Sequence, residues 1–183
     1  MESPTWYVWP VILFIVALIY KVIWPPKRSH IAAIINSIKV DFKILFDRGF
    51  ELGETKYDDR SFGNWIIVLY STECVIRFIQ DRGSVSVDVG PKWASRKLAS
   101  QEHFYSPKLI IDYLRNFRGV VSQTTKERYM DVDEQLKDWS NYLNLHYDEI
   151  VSFLNRDDFV SEEPKIKQLW KSQLHLMFPE LKN

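Results

Sequence analysis

The chain has 183 residues with 24 basic and 24 acidic side chains, so its formal charge at neutral pH is zero. Residues 1–28 hold one acid, Glu2, against Lys21, Lys27 and Arg28, a net +2, and the other 155 residues hold 21 basic and 23 acidic side chains, a net −2. A weakly acidic body has no general attraction for nucleic acid, a single cysteine excludes an internal disulfide and a multi-cysteine metal site, and 46% apolar residues exclude disorder as the dominant state.

Residues Trp6 to Trp24 read WYVWPVILFIVALIYKVIW, with no charge from Ser3 to Tyr20. Nineteen residues rising ~1.5 Å each span ~28 Å, close to the hydrocarbon thickness of a bilayer. Trp6, Tyr7 and Trp9 at one end and Tyr20 and Trp24 at the other form the aromatic belt of a membrane span. Lys21 sits within one turn of the end and extends its amine to the interface. Pro10 falls in the first turns, where a missing amide costs least, and Pro25-Pro26 stop the helix. A cleaved signal peptide needs a basic start and a small-residue cleavage site, and this segment has neither. Residues 1–28 are therefore read as an uncleaved single-pass anchor with its basic flank, and 29–183 as one domain. The flanking bases place that domain in the cytosol, under the inner (plasma) membrane. Ala17 is the only small residue of the span, so a tight small-residue helix dimer is disfavoured; packing of bulky faces in a ring of helices stays open.

Ser29 is expected to cap a helix running to about Arg48, with Ile31, Ile34, Ile35, Ile38, Phe42, Leu45 and Phe46 at helical spacing and Gly49 after its end. Strands are expected at Phe50–Lys56, at Trp65–Tyr70 as a central strand covered on both sides, at Cys74–Gln80, and through Val85, Val87 and Val89, where one face is wet. Asp81-Arg82-Gly83 is a hairpin turn with glycine at a position needing positive φ. Gly90-Pro91 ends the sheet. Helices follow at Pro107–Phe117, at Val132–Leu154, and after a cap at Ser161, where Ile166, Leu169, Trp170, Leu174, Met177 and Phe178 recur. The fold class is α+β: a three- or four-stranded antiparallel meander packed with about four helices, behind the membrane helix.

Several residue patterns admit a chemical reading beside a structural one. Arg82 could meet an anion, or simply form a polar hairpin tip. Asp58 and Asp59 beside Arg60 lack a third carboxylate at ligand spacing, so no metal site is expected. Cys74 on a strand has no basic neighbour and reads as a buried thiol. His146 reads as a partly covered structural histidine. Trp93, Phe104 and Tyr105 put aromatics in a loop region, as a partner or lipid contact or as loop packing. Six glycines, none clustered, make no phosphate-cradling loop, and no cofactor is expected.

Arg96 and His103, separated by KLASQE, resemble the Arg-x(4–6)-His motif of HEPN nucleases. That resemblance implies RNA cleavage, with the histidine in acid/base work and the arginine on phosphate; a solvent-exposed loop pair is the plain alternative. The Asp81-Arg82-Gly83 hairpin with the amphipathic Val132–Leu154 helix resembles small bacterial α+β proteins, which implies no activity. Size, single anchor and the Arg96/His103 pair are similar to the membrane accessory proteins of RNA-targeting CRISPR systems, which implies assembly in the membrane and antiphage defence. Three functions are thus open: a membrane-anchored binding or regulatory module with a protein partner, a homo-oligomeric pore, and a nuclease. Nucleic-acid binding is disfavoured by charge.

Overall fold

The computed structural model describes residues 27–58, 63–94, 102–116 and 131–178. Two helices open it, α1 (Lys27–Asp41) and α2 (Lys43–Asp47). Four strands follow: β1 (Glu51–Asp58), β2 (Asn64–Tyr70), β3 (Cys74–Asp81) and β4 (Ser84–Pro91). Three helices complete it: α3 (Pro107–Leu114), α4 (Val132–Leu154) and α5 (Phe159–Met177). The fold is α+β, and the sheet is an antiparallel meander in the order β1-β2-β3-β4.

The expected first helix is two. The chain breaks at Phe42 (φ −106°, ψ 33°), whose fully buried ring meets Phe78 edge to face at 4.6 Å. That break lets Leu45 and Phe50 reach the same core. Because α1 begins at Lys27, Ser29 lies within its first turn and not at its cap. The hairpin between β3 and β4 is a two-residue turn in which both Arg82 (φ 50°) and Gly83 (φ 84°) are left-handed, the geometry that matches the twist of paired strands. Asn64 braces it, accepting from the Arg82 amide at 2.8 Å and donating to Asp81 at 2.6 Å.

One sheet face carries Trp65, Ile67, Leu69, Ile76, Phe78, Val85, Val87 and Val89, all in the main core. Helix α4 lies against it, capped by Asp131, whose carboxylate accepts from the Glu134 amide. Gln135 and Trp139 of α4 tie to β4, Gln135 accepting from the Val85 amide at 2.7 Å and Trp139 donating to the Val85 carbonyl at 3.0 Å. The other sheet face is covered as well. Val68 and Val75 are fully buried there, and so is most of Arg77. The wet face expected for β4 is therefore confined to Ser84 and Ser86, while Asp88 is half-buried and Gly90 buried. Helix α5 begins at Phe159, with Asp158 and not Ser161 at its cap position. Among the described residues no helix is long and apolar enough to cross a membrane; the anchor read at 6–24 lies outside them.

Candidate functional site

The edge of β4, met at Val85 by Gln135 and Trp139, is met again by backbone at Val89. Tyr105 bridges Val89 antiparallel through two backbone hydrogen bonds of 2.8 and 2.9 Å. Gly90 permits this approach: a Cβ there would lie 2.9 Å from the His103 carbonyl oxygen and 3.1 Å from the Ala94 and Phe104 side chains. His103 takes a left-handed turn (φ 64°) as the chain arrives.

Alternation along this short extended stretch then sorts the side chains. Phe104 lies under the Arg77 guanidinium, 3.7 Å from ring centre to Cζ, and Arg77 bridges Asp88 at 3.0 Å. Burial pushes the Asp88 carboxyl up, with the Arg77 charge and hydrogen bond opposing. Tyr105 and His103 go the other way, to α5. The Tyr105 hydroxyl donates to Glu163 Oε1 at 2.6 Å, and His103 Nδ1 meets the same oxygen at 2.7 Å. Lys167 Nζ stands 3.9 Å from Glu163 Oε2. Trp93 packs its ring edge to face on His103 at 4.6 Å, and the buried Phe159 lies 6.3 Å from Trp93 and 6.4 Å from Tyr105.

Electrostatics fix the proton on this cluster. Burial raises the Glu163 carboxyl, but hydrogen bonds from Tyr105 and His103, with the His103 and Lys167 charges, outweigh it and hold the group below the usual carboxylate range. Burial and the Glu163 partner push the Tyr105 phenol well up. An ionised Glu163 therefore accepts from the Tyr105 hydroxyl and meets Nδ1 of His103 on the same oxygen. Trp93 remains 50% exposed and the His103 side chain 30%, whereas Tyr105 and Glu163 are buried. The result is an imidazole and an indole held at the surface by a buried carboxylate.

The structure thus brings Trp93, His103 and Tyr105 together and sends Phe104 to the opposite sheet face. Arg82 lies at the far end of β4, eight residues away, or roughly 26 Å of strand. Arg96 lies outside the described residues, as do Trp6, Tyr7, Trp9, Tyr20, Lys21, Trp24, Asp59 and Arg60. Glu163 is the residue that sequence reading missed. Its signal was a carboxylate in the core-facing register of α5, at i+4 from Phe159 and i−3 from Ile166.

Two further groups are settled inside. Cys74 is 1% exposed, and burial pushes its thiol up to about 12, which removes it as a nucleophile at neutral pH. His146 is buried beside Tyr142 at 4.6 Å, with Nδ1 3.5 Å from Glu149. Among the described residues no group of three or more His, Cys, Asp or Glu is placed to hold a metal ion. No protein-family model matches the chain, and no curated protein or solved structure matches it significantly.

Proposed function

We propose that the chain is a membrane-anchored binding module. The apolar run 6–24 holds it in the inner membrane, the domain lies in the cytosol, and the surface around Trp93 and His103 receives a protein partner. What carries this reading is the arrangement at that surface: a half-exposed tryptophan packed on an imidazole that the buried Glu163 fixes in place. Large aromatic side chains pre-positioned at the surface dominate protein–protein recognition, because little ordering is left to be done on binding. The test is the mass of the particle extracted from native membranes in mild detergent. The full chain is expected to run as a complex larger than one chain. Trp93→Ala is expected to shrink that complex while leaving the chain resistant to alkaline extraction. A wild-type particle of single-chain mass overturns the reading.

A nuclease remains the second reading, favoured by one observation. A carboxylate on Nδ1 of a surface histidine is the arrangement of a general base and its orienting partner. In that reading Nε2 of His103 exchanges the proton and Arg96 meets the phosphate. Arg96→Ala and His103→Ala would each abolish RNA cleavage by the purified full chain, and cleavage unchanged in both variants ends it.

A further inference from the structure

We infer that the solvent-facing side of α5 is a second membrane contact, which lies on an anionic lipid surface. The inference rests on the membrane-anchored reading and extends it from the anchor to the domain. The buried stripe of helix α5 is half apolar, Phe159 and Ile166, and half polar, Glu163 and Gln173. Glu163 faces the His103 cluster, and Gln173 donates to Asp112 of α3 at 3.1 Å. Large apolar side chains are also left outside: Val160 is 60% exposed, Trp170 46%, Leu176 54% and Phe178 54%.

At roughly 100° per residue, Val160, Lys167, Trp170, Lys171, Leu174 and Phe178 fall on one continuous side of the helix and its first residue beyond. That side holds apolar and basic groups, and its one acid, Glu163, is buried; the exposed Leu176 falls on the opposite side. From Pro164 to Phe178 the sequence contains Lys165, Lys167, Lys171 and His175 and not one carboxylate. Glu163 is turned inward, where Tyr105 and His103 meet its carboxylate. Alternating tryptophan, phenylalanine and lysine on one helical side is the chemistry of an interfacial helix. Rings settle at the headgroup level, and the lysine stems lie along the apolar surface with their amines among phosphates. A soluble protein partner would more commonly be met by an uncharged apolar centre; a face carrying Lys171, and Lys167 at 3.9 Å from the buried Glu163, suits a negatively charged bilayer.

The test uses the full chain reconstituted into vesicles, with Leu174→Cys carrying an environment-sensitive fluorophore. Cys74 does not compete for label, because its thiol is buried and largely protonated. In phosphatidylcholine vesicles containing phosphatidylglycerol the emission is expected to shift to the blue. It is expected to stay at its detergent value in phosphatidylcholine alone. Salt at ~1 M, where the screening length falls to about 3 Å, should reverse the shift. Lys167→Gln with Lys171→Gln should abolish it, and the corresponding arginine pair should keep it. Equal emission in both lipids overturns the inference, as does a shift that follows protein density and not lipid charge, which would mean a second copy covers the face. Alkaline extraction of the same samples reads the anchor separately: a chain that washes off defeats the anchored reading, whatever the label reports.

Discussion

Two clusters in this domain are built from the same parts and end differently. At the β2–β3 turn, the Tyr147 hydroxyl donates to Glu73 at 2.7 Å beside Cys74. At the edge of β4, the Tyr105 hydroxyl donates to Glu163 at 2.6 Å beside His103. In the first the carboxylate sits toward solvent and the reactive group, the thiol, is sealed beneath it. In the second the carboxylate is sealed and the titratable imidazole faces out with Trp93. A tyrosine–carboxylate bond locks a fold in either case. It prepares a surface only where the buried member is the charge and the exposed member is the group that can exchange a proton or meet a partner.

The largest expected effect is at the ring that supports the open cluster. Phe159→Ala removes a fully buried phenyl group in contact distance of Trp93, Tyr105 and Phe153, and about 3–5 kcal/mol of unfolding free energy should be lost in urea titration. A loss under about 1 kcal/mol would show that the cluster is not anchored on the core. Glu163→Ala comes next. It leaves the buried Tyr105 hydroxyl without its acceptor, an effect of about 1–3 kcal/mol, and should also release Trp93, visible as altered indole fluorescence. Tyr147→Phe, its counterpart in the closed cluster, should lower stability by about 1 kcal/mol and leave partner binding untouched. Equal effects of Glu163→Ala and Tyr147→Phe on the particle mass would erase the distinction between the two clusters. Arg48→Ala, which breaks an exposed pair with Asp148 at 2.9 Å, should change stability by less than about 1 kcal/mol.

The clusters also separate on the pH axis. Glu163 has a lowered carboxyl, so its contribution is fully present above its ordinary value of 4.5 and is lost as the pH falls below it. Cys74 has a raised thiol, so its neutral burial is free of penalty below its ordinary value of 9.0 and becomes unfavourable as the pH climbs from 9.0 toward about 12. Thermal melts should therefore show an acid limb that Glu163→Gln flattens and an alkaline limb that Cys74→Ala flattens. An alkaline limb unaffected by Cys74→Ala would place the titration elsewhere.

Much of this architecture was written locally. The alternation of Val85, Val87 and Val89 and the Arg82-Gly83 turn are short-range patterns, and they mark β4 and its hairpin. The period of Leu136, Leu143, Tyr147, Ile150 and Leu154 marks α4 from Val132 to Leu154. What sequence could not carry was set by distance along the chain. His103 and Glu163 are 60 residues apart, and the packing of α5 against the stretch from His103 to Tyr105 joins them. The break at Phe42 coincides with a long-range ring contact from the helix junction to Phe78 of β3, and no glycine or proline marks it locally. Ser161 looked like a cap because its hydroxyl belongs to the first turn of a helix; it bonds back to the Asp158 carbonyl instead.

The most direct test of the open cluster as a binding surface is site-specific photo-crosslinking in native membranes from position 92 of the full chain, an exposed lysine beside Trp93. A discrete adduct is expected from position 92 that Glu163→Gln removes, and none from position 137, an exposed lysine on α4. The same adducts from both positions, or none from position 92, would contradict a binding surface at Trp93.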